Sequence, residues 1–243
     1  MSVQAQIENA LGELRRQAGD AAALRAFVEK FGRDWFLLAG VLRRDVPEAL
    51  LEYVAQTRPW CEDRRLAGVL VGNPRTPSAL ALRLVSELYW RDLADVATSL
   101  HLPAALRVRA EALLVERLGE MRRGDKIALA RRASPGTLRA LLHERDSEVL
   151  DAVLFNPRLQ EQALLAGLRA EAACPQLLEA AARSPRWSAS YAVAKQLVLQ
   201  PRTPLGLALG RLSSLVPRDL RQVVAQRRLR PVVRAAAQRL LDR

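Results

Sequence analysis

"NPRTPSALAL" occupies Asn73–Leu82, and the closely related "QPRTPLGLAL" occupies Gln200–Leu209, much later in the chain. An ungapped alignment of residues 73–102 with residues 200–229 contains fourteen identities in thirty positions. The match continues if one residue is skipped, because "PAALRVRAEALL" from Pro103 then aligns with "PVVRAAAQRLL" from Pro231. The chain therefore contains an internal repeat.

The proline-bracketed segment predicts a tight turn between two antiparallel helices. The residues before Asn73 are apolar at helical spacing, and Asn73 suits the left-handed position that closes a helix. Pro74 cannot continue that helix. We expect Thr76 to cap the next helix and Pro77 to be its first residue. The residues assigned to repeat turns are Asn73, Pro74, Arg75, Thr76, Pro77, Asn156, Pro157, Arg158, Pro201, Arg202, Thr203 and Pro204.

A weaker third copy sets the length of the repeating unit. "EDRRLAGVLVGNPR" from Glu62 matches "RDSEVLDAVLFNPR" from Arg145, which aligns Asn73 with Asn156. The offset between these two copies is close to twice the length of the last unit, residues 200–243, so units are expected to start near residues 73, 116, 156 and 200. Units of this length are typical of two-helix solenoid repeats. The predicted fold is therefore an all-α solenoid.

These residues resemble the HEAT-like superfamily, and the segment Asp146–Leu159 is similar to the leucine-rich repeat variant of bacteria. The resemblance covers roughly residues 62–243 and implies a right-handed α-solenoid of stacked two-helix repeats. We expect residues 61–243 to form one continuous solenoid and residues 1–60 to form its amino-terminal helical cap. The shared motifs mark the places where helices end and begin, so they say little about function.

The composition of the chain argues against several classes of functional site. Cys61 and Cys174 stand far apart without Cys or His neighbours, so neither a disulfide framework nor a zinc site is expected. No cofactor-binding loop is present, and no cofactor or metal is expected. The amino terminus has the pattern of an amphipathic helix and lacks the apolar core of a signal peptide. With no apolar run long enough to span a bilayer, we expect a bacterial cytoplasmic protein, with contact to a membrane surface left open.

The net charge of +12 is concentrated at one end of the chain. Residues 181–243 contain 13 basic and 2 acidic side chains, whereas residues 1–180 contain 25 basic and 24 acidic ones. Unbalanced positive charge attracts polyanions, of which nucleic acid is the commonest. The structural alternative is a solvated face of a terminal repeat. The candidate anion-binding residues are Arg186, Lys195, Arg202, Arg218, Arg221, Arg227, Arg228, Arg230 and Arg234.

Aromatic residues and histidines offer few candidates for catalysis. Trp187 and Tyr191 lie four residues apart in the basic region, where they could pack between repeats or stack on bases. HEAT-like DNA glycosylases of the alkylpurine type use aromatic side chains and an aspartate. In this sequence the candidates for these roles are Trp90, Asp92 and Trp187. Arg91-Asp92 recurs in the repeat, however, which favours a structural role, and Trp90 is expected to start a helix. His101 is expected at the surface.

The sequence thus predicts a non-catalytic binding or scaffold protein that presents a solenoid surface to a macromolecular partner, either another protein or a polyanion. Its strongly basic carboxy-terminal end is expected to meet an anionic partner. The alternative is a nucleic-acid-binding protein, which includes a HEAT-like DNA glycosylase. No catalytic residue is assigned.

Overall fold

A computed structural model of the protein describes residues 3–17, 21–171 and 173–242. These residues form eighteen α-helices and three short 3-10 helices, and they contain no β-strand. The prediction of an all-α fold is confirmed. The chain divides into two compact units, Met1–Glu116 and Arg117–Arg243. The division expected near residue 60 stays a prediction.

The first unit begins with a helix where the sequence predicts an amphipathic one. Its helices are α1 (Val3–Gln17), α2 (Ala21–Phe31), α3 (Trp35–Leu42), α4 (Glu48–Gln56), α5 (Arg64–Gly72), α6 (Ser78–Leu84), α7 (Trp90–Thr98) and α8 (Ala104–Arg117). Short 3-10 helices follow α4 and α6, at Trp60–Glu62 and Val85–Glu87.

The second unit contains mostly shorter helices. They are α9 (Arg123–Arg132), α10 (Pro135–Leu141), α11 (Ser147–Phe155), α12 (Glu161–Arg169), α13 (Pro175–Arg183), α14 (Pro185–Ser188), α15 (Tyr191–Leu199), α16 (Leu205–Leu212), α17 (Pro217–Ala225) and α18 (Pro231–Leu241). A 3-10 helix at Leu118–Glu120 precedes α9.

The helices reproduce the sequence repeat element by element. The offset that relates Asn73 to Gln200 also relates both ends of α5 to those of α15, and both ends of α7 to those of α17. The first residues of α6 and α16, and those of α8 and α18, are related by the same offset. The sequence alignment that skipped one residue to match Pro103 with Pro231 is therefore wrong, because the helices themselves align without a gap. The offset that relates Asn73 to Asn156 carries both ends of α5 onto those of α11.

The repeated helices α5, α11 and α15 share a polar cap at their amino ends. The Asp63 side chain accepts a hydrogen bond from Arg65 N, and Asp146 accepts bonds from the amides of Glu148 and Val149 in α11. Ser190 has the same role before α15. Such caps satisfy amides that have no partner inside the helix. The apolar faces of the three helices pack into the cores of their own units.

The turn after each of these helices differs from the prediction for Asn73. Its φ and ψ are −85° and 121°, which is extended backbone, and no described residue has a positive φ. Asn156 and Gln200 are extended in the same way. Each of the three precedes a proline, whose ring disfavours helical geometry in the residue before it. The following proline therefore decides the backbone here, and the left-handed assignment is wrong.

The amides of Asn73, Asn156 and Gln200 instead connect the turn after each helix to the end of an earlier helix. All three residues are buried. Each donates its side-chain N–H to backbone carbonyls at the carboxyl end of an earlier helix, where helical carbonyls lack internal partners. The bonds run from Asn73 to Leu42 O and Arg44 O (2.7 and 2.9 Å), from Asn156 to Ala130 O (2.7 Å), and from Gln200 to Leu168 O and Ala170 O (2.7 and 3.2 Å). We call this set the amide ladder.

Thr76 does not cap the helix that follows it. Helix α6 begins at Ser78, and its cap position is Pro77, which makes no side-chain capping bond. The Thr76 hydroxyl instead donates to Leu70 O, so it satisfies a carbonyl at the end of the preceding helix. Trp90 does begin a helix, as predicted.

Candidate anion-binding surface

Most of the arginines that follow a proline in the turns contact other parts of the protein. Arg75 forms an ion pair with Asp45 at 2.7 Å, and the Arg158 guanidinium donates to Arg132 O at 3.0 Å. Arg186 donates to two backbone carbonyls of the turn after α11, both at 3.0 Å. Arginines that donate to carbonyls at a helix end, as Arg158 and Arg186 do, stabilise the negative end of that helix. Arg202 differs from these three, because it is exposed and its side chain bonds to no other described residue.

Lys195 is also engaged, in a cluster at the start of α17. Its ammonium group donates to Asp219 Oδ1 at 2.9 Å, and the Tyr191 hydroxyl donates to the other oxygen of the same carboxylate. The hydrogen bond from Tyr191, followed by that from Lys195, lowers the pKa of Asp219, and the same bond to Asp219 raises the pKa of Tyr191. Lys195 is therefore neutralised inside the fold.

This cluster leaves the surrounding surface with few acidic groups. Asp219 is buried, and the only other carboxylate side chain after residue 180, Asp242, accepts a hydrogen bond from Gln238. Arg228 lies 3.7 Å from Glu171, but both side chains are largely exposed, and such pairs contribute little. Of the candidate anion-binding residues, five arginines are exposed and have side chains that make no hydrogen bond or ion pair with another described residue: Arg202, Arg218, Arg221, Arg227 and Arg230.

Arg234 differs from these residues because it is half-buried on α18. Its Nε atom is buried and has no hydrogen-bond partner among the described residues. Arg107, the equivalent residue of α8 in the first unit, has the same buried and unbonded Nε. The equivalence indicates that this position belongs to the packing of the repeat, which weakens its candidacy as an anion-binding residue.

A cleft opens on this surface at the carboxyl ends of α12, α15 and α17. Its volume is about 500 Å³, and we call it the basic cleft. Three arginines and one glutamate line it, with amide side chains between them. The charged and amide residues are Arg169, Glu171, Gln196, Gln200, Arg202, Gln222, Gln226 and Arg228. Gln196 accepts a hydrogen bond from Arg169 Nε at 3.1 Å, which helps to orient that guanidinium group.

The first unit has a related cleft of about 390 Å³ between α5 and α7, which we call the mixed-charge cleft. Two arginines, Arg43 and Arg65, and two aspartates, Asp92 and Asp95, line it. Its positions 72, 95, 99 and 101 align with positions 199, 222, 226 and 228 of the basic cleft. The second unit has Gln222 in place of Asp95 and Arg228 in place of His101, so the balance of charge is lost there.

Sequence reasoning identified Arg202 and Arg228 but missed Arg169 and Gln222. Gln222 could have been found, because it replaces Asp95 in the internal alignment and so removes a negative charge from the repeat. Arg169 carried no such signal, since it ends α12, which lies before the aligned part of the chain.

The two aromatic candidates for base stacking lie on separate helices. Trp187 belongs to α14 and Tyr191 to α15, so they do not share a helical face. Trp187 is 3 % exposed and donates its indole N–H to Leu154 O at 2.8 Å, so it packs within the second unit. A ring buried to this extent offers no face to a base. Tyr191 is 42 % exposed, with its hydroxyl held by Asp219.

The remaining candidates for chemistry are dispersed. His101 is exposed, as predicted, and its ring nitrogens lie 3.0 and 3.2 Å from the Ser99 hydroxyl. Cys61 and Cys174 are free thiols. In the described part of the chain, no three His, Cys, Asp or Glu side chains are grouped as a metal site would require. None of the described helices combines the length and the apolar character needed to cross a membrane.

Comparison with known proteins adds no family to this description. No protein-family model matches the chain, and neither a curated protein nor a solved structure shows significant similarity to it.

Proposed function

We propose that the protein is a non-catalytic α-solenoid of HEAT-like repeats that binds a polyanionic partner through its basic carboxy-terminal end. The solenoid is supported by the matching helices of the internal repeat and by the amide ladder. In a solenoid each unit contacts its sequence neighbours, and every rung of the ladder joins the end of one helix to the end of a helix shortly before it in the chain.

The observation that carries the binding proposal is the set of exposed, unpaired arginines. Arg202, Arg221 and Arg227 face solvent, and the carboxylate nearest to them in sequence, Asp219, is engaged by Tyr191 and Lys195. Like charges that are not balanced locally repel one another and raise the local potential. A folded protein with such a surface gains stability when an anion covers it.

The shape of the basic cleft favours an extended ligand over a single ion. Its volume of about 500 Å³ is much larger than one phosphate or carboxylate group, and Arg228, in the turn after α17, lines it. A linear polymer of phosphates would contact the cleft and the turn together. Its affinity would then depend steeply on salt, because each contact releases counterions.

The test is binding of a fluorescent random-sequence DNA duplex, measured by anisotropy across a salt series. The variant combines Arg221→Gln, Arg227→Gln and Arg228→Gln, which removes three exposed charges. Removing three phosphate contacts should weaken binding and make the slope of log affinity against log salt shallower by about 2–3, since each contact contributes about 0.7–0.9.

A matched control removes three exposed arginines that lie outside the basic region and whose side chains bond to no other described residue, by Arg83→Gln, Arg131→Gln and Arg139→Gln. Both triple variants lower the net charge equally. The control should retain most of the affinity and the full salt slope. Equal losses in both variants would show that only net charge matters, and no change in either would refute the proposal. Heparin binding without DNA binding would assign the surface to a polyanion other than nucleic acid.

A further inference from the structure

Helix α17, at the basic end of the chain, is strongly amphipathic. Its inner face carries Leu220 and Val223, which are buried in the core of the second unit. Its outer face is exposed, and we call the residues that form it the outer stripe of α17. They are Arg218, Arg221, Gln222 and Ala225.

The outer stripe carries positive charge that no carboxylate on its own face balances. Neither Arg218 nor Arg221 makes a hydrogen bond or an ion pair with a described residue. The one acidic residue of α17, Asp219, is buried, and Tyr191 and Lys195 donate to its two oxygens. An anion that approaches the stripe therefore meets cations without competing acids.

The first copy of the repeat shows that the fold does not require such a stripe. Helix α7 has the same bounds as α17 within the repeat, and its residues equivalent to Arg221 and Gln222 are Ala94 and Asp95. Ala94 is fully buried there, whereas Arg221 is exposed. The second unit thus exposes a helix face that has gained an arginine and lost a carboxylate.

The dimensions of the outer stripe suit a groove of duplex DNA. With 3.6 residues per turn, its four positions fall within an arc of about 100° and extend over about 10 Å along the helix axis. The major groove of B-form DNA is about 12 Å wide and about 8.5 Å deep, which admits an α-helix. Arginine and glutamine are also the side chains that read guanine and adenine edges in that groove.

Unpaired bases fit this surface less well than a duplex does. Residues 217–230, which form α17 and the turn after it, contain no aromatic side chain. Proteins that bind single strands combine positive charge with aromatic rings on which the bases stack. The outer stripe supplies only the charge and the hydrogen-bonding groups, so its composition favours a duplex.

We propose that α17 docks in the major groove of B-form duplex DNA, with its outer stripe toward the base edges. Arg218 and Arg221 contact phosphates, Gln222 hydrogen-bonds to a base edge, and the small side chain of Ala225 permits close approach. Gln222 also lines the basic cleft, so the stripe and the cleft form one surface. The assignment of a groove rests on the proposed binding of a polyanion and names that polyanion.

The first experiment compares three nucleic acids by fluorescence anisotropy with the full-length protein. The probes are a random-sequence DNA duplex, an RNA duplex of the same design, and single-stranded DNA. The major groove of A-form RNA is deep and narrow and does not admit a helix. The DNA duplex should therefore bind about tenfold more tightly than the other probes, since it alone permits the base contacts. Methyl green, which occupies the major groove, should compete with the protein, whereas netropsin, which occupies the minor groove, should not.

The decisive variant is Gln222→Glu, which places a negative charge at the centre of the outer stripe. It should weaken binding of the DNA duplex by about tenfold, the effect of losing one good base contact. Gln162→Glu is the matched control, because Gln162 is exposed on α12, outside the basic region, and the change in net charge is the same. Gln222→Ala should weaken binding and leave the salt slope unchanged, because it removes no phosphate contact.

Three results would overturn the docking of α17. They are equal affinity for the DNA and RNA duplexes or for the single strand, competition by netropsin and not by methyl green, and equal effects of Gln222→Glu and Gln162→Glu in folded proteins. The polyanion proposal would survive any of these if the triple variant that lacks Arg221, Arg227 and Arg228 still lost affinity. Absence of binding to every nucleic acid and to heparin would refute both proposals.

Discussion

At the scale of single residues, the decisive feature is an amide side chain followed by proline. Proline holds the preceding residue in extended geometry, and this geometry directs the Asn73, Asn156 and Gln200 amides back toward an earlier helix. The sequence predicts the turn correctly, but the roles predicted for two of its residues are wrong. The left-handed assignment of Asn73 overlooked the effect of Pro74, and no local pattern could reveal that Thr76 bonds to Leu70 O.

The amide ladder makes a testable contribution to stability. Asn156→Ala removes the donor to Ala130 O, which is then left without that partner in the interior. We expect the free energy of unfolding to fall by about 1–3 kcal/mol, the cost of leaving a buried polar group unsatisfied. Urea denaturation measures this change. Gln162→Ala, at an exposed position on α12, should change stability by less than about 0.5 kcal/mol. Equal effects of the two substitutions would contradict the role given to the ladder.

The cluster of Tyr191, Lys195 and Asp219 predicts a dependence of stability on pH. The pKa of Asp219 is lowered in the folded protein, chiefly by the Tyr191 hydroxyl. Its contribution is therefore present above the pKa of an unfolded aspartate, about 3.9, and is lost as the pH falls through the lower folded value. Tyr191→Phe should reduce this acid-dependent loss, as measured by thermal unfolding between about pH 2 and 6.

Tyr191 itself provides the opposite check. Its pKa is raised by the bond to Asp219, so its contribution is complete below the pKa of a free tyrosine, about 10, and is lost as the pH rises through the folded value. The phenylalanine variant lacks this group, so its stability should fall less on the alkaline side as well. A variant with the same pH profile as the unmodified protein would exclude the cluster as the cause.

At the scale of elements, the sequence predicts helix positions well and the burial of individual faces less well. Leu80 and Leu207 occupy equivalent positions, as do Leu82 and Leu209, and the repeat predicts that some of each pair face the core. Leu80 is 9 % exposed and Leu82 is 40 % exposed. Helix spacing separates two such positions by about 200° around the axis, so only one of them can face the interior. Which one does so depends on neighbouring helices, which a local pattern does not specify.

This difference predicts two contrasting substitutions on α6. Leu80→Ala should lower the free energy of unfolding by about 2–5 kcal/mol, because it leaves a cavity in the core. Leu82→Ala should lower it by less than about 0.5 kcal/mol, since that side chain is largely exposed. Chemical denaturation of both variants measures the contrast. If Leu82→Ala proved the more costly change, the orientation of α6 would be wrong.

At the scale of the whole molecule, composition predicts the helical class and the location of the charge. It could not predict the two clefts. Each is formed by residues from helices that are distant in sequence, such as Arg169 and Arg228. The contrast between the clefts becomes visible only when the two copies of the repeat are compared position by position, as at Asp95 and Gln222. An internal repeat thus provides its own reference, in which each difference marks where the chemistry of the two copies diverges.

The unbalanced carboxy-terminal charge makes a last prediction, on how anions affect stability. Salt of any kind screens the repulsion among the exposed arginines and should raise the melting temperature. An anion that binds specifically adds a second effect, because its binding stabilises the folded state. This stabilisation grows with the logarithm of the anion concentration once that concentration exceeds the dissociation constant. At equal ionic strength, inorganic pyrophosphate should therefore raise the melting temperature more than chloride does.

The two triple variants separate these effects. The variant that lacks Arg221, Arg227 and Arg228 should lose the excess stabilisation by pyrophosphate and keep a weaker response to chloride. The control variant that lacks Arg83, Arg131 and Arg139 should keep the excess. Multivalent anions also stabilise proteins generally by exclusion from the surface, and that effect would persist in both variants. If the excess stabilisation by pyrophosphate persists in the variant that lacks Arg221, Arg227 and Arg228, general exclusion is its cause. The basic surface would then be only a solvated face.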